Sequence, residues 1–437
     1  MKKGLVDSLA VTASLGAFCL VAAAIGFLPA EQPSRVKREA FDVSMAREPS
    51  RPASLQGVEA DEAPPAFSFA LCRAGEGPRL YPLTLRPGHD ALLVWCRGGY
   101  RLFEVAFEGN ASVALTRVAS FAAFGELPGG ATAGDFDADG QIDLALATAP
   151  RPSVVHRSKT GVYWLRGRAQ GGFEPARSLV ESPAVALATL PRERPDADAL
   201  VVLTRGDAVA QRPGQLWLFE HEKALVRTTT VSTLLAPRDL LLRPAKGGGV
   251  AAWVLSTTAS TVMRVSLLPR ADDDPPSSQK LTVRGPLGFV GGLADANAPL
   301  LVWAAQGVQR VIDEGEVEAK LEPQLEDASV GPTLRLDLDG DHTADLLSVV
   351  QSGIAWSAQG EGPLAELSLK RQVIDLSVVR DPAGQLRPVA LSTGGEGEGE
   401  ILTLLVLPPG PWESAASPRI QEGALREVAS PSDVALQ

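Results

Sequence analysis

Short apolar runs recur along this chain, each opening after a polar or turn residue. They begin at Ala91 (ALLVW), Leu144 (LALAT), Ala199 (ALVVLT), Val250 (VAAWVLS), Pro299 (PLLVWA), Leu346 (LLSVV) and Pro388 (PVALS), stepping 53, 55, 51, 49, 47 and 42 residues. Runs of this length, rich in β-branched and aromatic residues and bounded by turn signals, read as buried strands. Most are followed by a second strand introduced by glycine or a polar turn, at Gly99, Gly161, Gly214, Gly307, Gly353 and Gly399. A period near fifty residues, seen seven times, predicts an all-β seven-bladed propeller of four-stranded blades spanning residues 66–412. A sandwich or two separate β domains is the alternative, and the even spacing favours the propeller. No stretch beyond the N-terminus holds a 3.6-residue apolar period for three turns.

Two acidic loops sit just before two of these strands. Asp135, Asp137, Asp139 and Asp143 stand at relative positions 1, 3, 5 and 9 of the first, and Asp337, Asp339, Asp341 and Asp345 at the same positions of the second. Calcium takes six to eight oxygens, and aspartates two apart on a tight loop converge their carboxylates, while the position-7 carbonyl of Gln141 or Thr343 adds a backbone oxygen. Neither loop is an EF-hand, because Leu146 and Ser348 replace the bidentate glutamate at position 12 and strands follow. Gly140 fills position 6 of the first loop, where a positive φ is expected. In the second, His342 stands there and Gly340 falls at position 4, so that site is expected to be weaker.

These loops resemble those of the FG-GAP and VCBS repeat families, propeller repeats of integrin α-chains and of many bacterial exported proteins. The resemblance implies that each loop joins two strands inside one blade, that two calcium ions are structural, and that partners bind the face away from the metal loops. Asp196-Ala-Asp198 and Asp295-Ala-Asn297 fall at the same point of the third and fifth repeats but lack the full acid set, and read as turns without metal.

Lys2 and Lys3 precede an uncharged run from Leu9 to Leu28, long enough to span a bilayer as a helix. Residues 1–30 read as an uncleaved signal anchor, with a cleaved signal peptide as the alternative. Residues 31–65, rich in Pro, Ala, Ser, Glu and Arg, read as a flexible tether, and 413–437 as a poorly ordered tail. Cys72 and Cys96, both placed in the first blade region, could close a disulfide in an oxidising compartment, with two buried thiols as the alternative. The chain is thus expected in the periplasm or on the cell surface. A net charge of −11 argues against a nucleic-acid partner.

The catalytic inventory is thin: no nucleophile elbow, zinc helix, phosphate loop or dinucleotide fingerprint occurs, and the four histidines are scattered. Trp95, Trp164, Trp217, Trp253, Trp303 and Trp356 fall in inner or second strands of the proposed blades and read as core, leaving Trp412 as the one candidate for a sugar platform. Asp272–Asp274 and the Gly/Glu alternation at 394–400 read as solvated loops, and Arg205-Gly206-Asp207 as a chance match to an adhesion tripeptide. The expectation is a non-enzymatic, calcium-braced propeller that binds a protein or glycan of the cell envelope and is held to the membrane by its N-terminal helix. The alternatives are a polysaccharide lyase, hydrolase or quinone-dependent oxidoreductase with its site at the central channel, and a structural subunit of an envelope assembly.

Overall fold

The computed structural model describes residues 66–435 except 75–76, 87–88, 108–112, 124–125, 151–159, 193–195, 208–209, 223, 246–248, 268–277, 293–299, 305–306, 312–319, 322–330, 339–342, 352, 358–364, 370, 382–383, 394–400, 409–419 and 424. The anchor and tether expected over residues 1–65 lie outside them. Among the described residues no helix is long and apolar enough to cross a membrane.

Seven sheets of four or five strands follow one another along the chain as the blades of a propeller. Their innermost strands are Leu80–Arg86, Glu126–Gly134, Ala184–Leu190, Pro237–Pro244, Pro286–Phe289, Thr333–Leu336 and Val373–Arg380, in blades one to seven, with the two-residue Gly291–Gly292 added in parallel to the inner edge of blade six. The apolar runs that set the period are the second strands: His89–Cys96, Asp143–Pro150, Ala199–Thr204, Val250–Ser256, Leu300–Ala304, Asp345–Val350 and Leu386–Thr393. Each pairs antiparallel with the innermost strand and with a third strand, the one opened by glycine in blades one, five and six.

Burial explains why the period was visible. A second strand lies between neighbours in its sheet and between two packed blades, so Ala199–Thr204 is buried at every position, whereas the outer strand Leu225–Ser232 is mostly exposed. The core is a series of clusters, each shared by two adjacent blades. Leu93, Trp95, Tyr100 and Phe121 of blade one meet Leu144, Leu146, Tyr163 and Phe173 of blade two, and the Tyr100 hydroxyl donates to the Ala147 carbonyl across that junction at 2.6 Å. The glycine at the start of a third strand has a steric reason. At Gly99 (φ +134°) a Cβ would stand 2.0 Å from the Phe121 carbonyl oxygen of the outer strand, and at Gly353 (φ +155°) 2.1 Å from that of Leu367.

Closure departs from the expected register. The first strand, Ala66–Arg73, is the fourth strand of blade seven and pairs antiparallel with Ile401–Val406, so both ends of the chain build the last blade. Cys72 therefore belongs to blade seven and Cys96 to blade one, where sequence position had put both in the first; a disulfide joins them, Cα to Cα 6.0 Å. Residues 413–437, read from sequence as a poorly ordered tail, contain two strands. Ile420–Glu422 pairs parallel with Ala66–Ser68 of blade seven, and Leu425–Ala435 pairs parallel with the outer strand of blade one, Val113–Ala122. Edge backbone groups supply the ordering energy there, since strand edges pair with whatever extended chain reaches them.

Candidate functional site

The first acidic loop joins the innermost and second strands of blade two, and the second acidic loop joins the same pair in blade six. Carboxylate oxygens of Asp135, Asp137 and Asp139 lie within 4.8 Å of one another. The turn is held by its own side chains: Asp135 accepts from the backbone amides of Asp139 (3.1 Å) and Gly140 (3.0 Å), and Asp139 from that of Gln141 (2.8 Å). Gly140 has φ +82°, and Ala138 takes the left-handed region as well, at +59°. Burial and the neighbouring Asp139 raise the pKa of Asp137, which Arg166 opposes.

Two features of this loop were not legible in the sequence. The Arg166 guanidinium, from the end of the third strand of blade two, pairs with Asp137 and, at 2.9 Å, with Asp139. A cation thus already stands against two of the three carboxylates, and the Asp137 and Asp139 charges raise the pKa of Arg166. Asp143, expected as a fourth ligand, turns inward and is fully buried. Its oxygens accept from the Phe136 amide (3.2 Å), the Trp164 indole (3.0 Å) and the Gly167 amide (2.7 Å). Burial pushes its pKa up to about 7 in spite of the Gly167 and Trp164 donors.

Blade six repeats the inward aspartate. Asp345 is fully buried and accepts from the Leu338 amide at 2.9 Å. Asp337 and Thr343 are described, whereas Asp339 and Asp341 lie outside the described residues. Asp198, just before the second strand of blade three, and Asp90, at the start of the second strand of blade one, send their carboxylates to the preceding blade instead. Asp198 accepts from the Asp135 amide (3.0 Å) and Asp90 from the Arg380 amide (2.6 Å).

The innermost strands enclose a central cavity of about 790 Å³. Its wall carries charged groups that the sequence gave no reason to bring together: Arg79, Arg238, Asp239 and Asp375, contributed by blades one, four and seven. Each is at or near the start of an innermost strand, so in antiparallel blades the cluster lies on the face opposite the acidic loops, which follow the ends of those strands. Asp239 accepts from the Leu240 amide and from the Phe289 amide of blade five, both at 2.9 Å. Asp375 does the same with Leu376 and with Leu80 of blade one, both at 3.0 Å. Burial raises the pKa of both carboxyls against these donors and against Arg79. For Arg79 burial acts downward and is outweighed by Asp375, Tyr81 and Asp239, so its pKa is raised. A charged residue interrupting an apolar innermost strand, as in Pro237-Arg238-Asp239-Leu240, was the one signal available in sequence.

Of the other candidates, Arg205-Gly206-Asp207 is exposed between the second and third strands of blade three, with the Asp207 carboxylate accepting from the Ala210 amide. Trp412, residues 272–274, 394–400 and Asp295–Asn297 lie outside the described residues.

No family model matches the chain, and no curated protein matches it. Solved structures do. BBS1N, crystallised in complex with ARL6DN and soaked with lead, is 13% identical with a TM-score of 0.54, over 79% of this chain and 97% of that one. The same pair soaked with mercury gives 12% and 0.51, over 79% and 98%. Sqt1 of Chaetomium thermophilum gives 13% and 0.47, over 75% and 81%. At these identities the likeness concerns the fold, which defines the chain as a seven-bladed β-propeller.

Proposed function

We propose that this protein is an extracytoplasmic, non-enzymatic binding propeller, anchored by its N-terminal segment, that offers its channel-mouth face to a protein or glycan of the cell envelope. The observation that carries the reading is the state of Asp239 and Asp375. Each carboxylate spends one oxygen on its own strand and the other on the next blade, which suits a fixed recognition wall better than a group that must move a proton. A propeller of similar fold, BBS1N, was crystallised with a protein partner, ARL6DN. The Cys72–Cys96 disulfide supports an oxidising compartment.

Calcium fits the first loop in part. Asp135, Asp137 and Asp139, with the Gln141 carbonyl, would hold it, in place of the Arg166 guanidinium, while Asp143 stays with its three donors. When bound, the ion would neutralise the loop and brace the turn between two strands. The resemblance to FG-GAP and VCBS repeats carries the same role to Asp337, Asp339, Asp341, Thr343 and Asp345.

A channel enzyme is the second reading, favoured by the raised carboxyl pKa values beside Arg79 in a cavity. Sedimentation of the purified protein with an envelope fraction separates the two. Retention without release of soluble fragments, abolished by protease or by periodate pretreatment of the envelope, supports the binding module and says which partner class it takes. Time-dependent release of saccharide or other product overturns it in favour of the enzyme.

A further inference from the structure

Every Trp assigned to the blade core from sequence is buried except Trp303, which is half-buried and lines the central cavity. The reason is Gly288 of the neighbouring innermost strand. A Cβ there would stand 2.5 Å from the indole Nε1 and 2.8 Å from Cε2, so only glycine lets the ring lie against that strand. Gly288 falls at the bulge of its strand, as Asp239 does in blade four and Asp375 in blade seven. One level of the channel therefore presents a flat aromatic surface and two fixed carboxylates, with Arg79 immediately before Leu80 completing the set.

The remaining hydrogen-bonding capacity at that level is specific. Each oxygen of Asp239 and Asp375 accepts one backbone amide, and a carboxylate oxygen has a further lone-pair direction to offer. The Arg79 guanidinium makes no hydrogen bond to a described residue, and neither does the Trp303 Nε1–H. The charges of Arg79, Arg238, Asp239 and Asp375 sum to zero, so a net charge on the ligand gains nothing overall. What gains is a molecule that both donates and accepts through fixed hydroxyls and turns a C–H face to an aromatic ring.

We infer that the channel mouth is a recognition site for a neutral pyranose, a terminal sugar or disaccharide unit of a glycan. Sugar hydroxyls donate to Asp239 and Asp375 and accept from Arg79, while one ring face stacks on Trp303. The cavity volume, about 790 Å³, is within the range of small-ligand sites. The groups are held by backbone donors before any ligand arrives, which limits the entropy lost on binding. This inference rests on the binding-module reading and names its ligand as glycan.

Isothermal titration calorimetry of the full chain with glucose, galactose, N-acetylglucosamine and their β-1,4-linked disaccharides, and with glucuronate as a charged control, tests it. The expected result is saturable binding of at least one neutral sugar, weakened about tenfold or more by Arg79→Ala and by Trp303→Leu, each variant retaining a cooperative unfolding transition. Asp239 and Asp375 are left intact because they tie neighbouring blades together. No heat with any neutral sugar, binding of glucuronate alone, or neutral-sugar binding unchanged in both variants overturns the inference. If the envelope retention described above persists while sugars fail to bind, the sugar site falls and the binding module stands; sugar binding without any retention has the opposite meaning.

Discussion

Cys72 and Cys96 are bonded across the seam between blade seven and blade one, the first on Ala66–Arg73, the strand that completes blade seven, and the other on the second strand of blade one. The backbone runs the same way, with Arg97 donating to the Arg73 carbonyl at 2.9 Å. The non-local pairing that closes the ring, Ala66–Arg73 against Ile401–Val406, lies inside blade seven, and the bond ties the first of these two strands to blade one. The pair lies 24 residues apart in sequence, and the chain-entropy account gives such a crosslink roughly 3 kcal/mol. Replacing both cysteines by alanine is expected to lower the unfolding midpoint by several degrees; a midpoint unchanged in the double variant would show that the seam does not depend on the bond.

The C-terminal strands cover the same seam from outside. Ile420–Glu422 lies on the edge of blade seven and Leu425–Ala435 on the edge of blade one. Ending the chain at Pro408 is expected to leave a folded core with two uncovered edges, seen as a lower midpoint and as association in size-exclusion chromatography. A monomer of parental stability would contradict a bracing role for this segment.

Asp143 predicts a pH dependence. Its folded pKa of about 7 lies above the unfolded value of about 3.9, so the folded state holds its proton over that window and the unfolded state does not. Stability from this group is fully present below pH ~3.9 and is lost as pH rises to about 7. The raised carboxyls of Asp137, Asp239 and Asp375 act in the same direction. The unfolding midpoint, measured against pH without calcium, should fall over this range. In Asp143→Asn the fall should be shallower near its upper end, and the midpoint lower throughout because an amide cannot accept from all three donors. A midpoint that rises across the window would contradict the assignment.

Arg166 is the internal counter-ion of the first acidic loop. Arg166→Ala leaves Asp135, Asp137 and Asp139 together without it, so the calcium-free protein should lose stability while its calcium affinity rises, about tenfold for each 1.4 kcal/mol of competition removed. Calorimetric titration with calcium reads this directly, and an affinity unchanged or reduced would mean that Arg166 does not compete for the site.

The second and third strands could be read because both of their faces are buried, as in Leu144–Ala149, which makes them continuous apolar runs with a fixed period. Innermost strands such as Glu126–Gly134 and outer strands such as Leu225–Ser232 carry glycine, threonine and charge, and their pattern is lost in the surrounding turns. Phe67 pairs with Val406, a closure that no local signal encodes. Leu425–Ala435 reads as a tail because Ser430, Pro431 and Ser432 break it, and the structure absorbs them in a register shift between Glu427 and Ser432. The acidic loops were legible as spacing, but the inward turn of Asp143 and the arrival of Arg166 depend on the third strand. Arg79, Asp239 and Asp375 are far apart in sequence and meet only through the radial symmetry of the blades.

The unfolding midpoint of the full chain in saturating calcium and again in chelator tests the calcium-braced binding propeller most directly. Ligand at about 100 times its dissociation constant stabilises by about 2.7 kcal/mol per site, which raises the midpoint by a few degrees in a cooperative unit of this size. The account predicts that rise, reversed by chelator and lost in the Asp137→Ala, Asp339→Ala double variant. An identical midpoint in calcium and chelator would mean that Arg166 alone neutralises the first loop and would contradict the account.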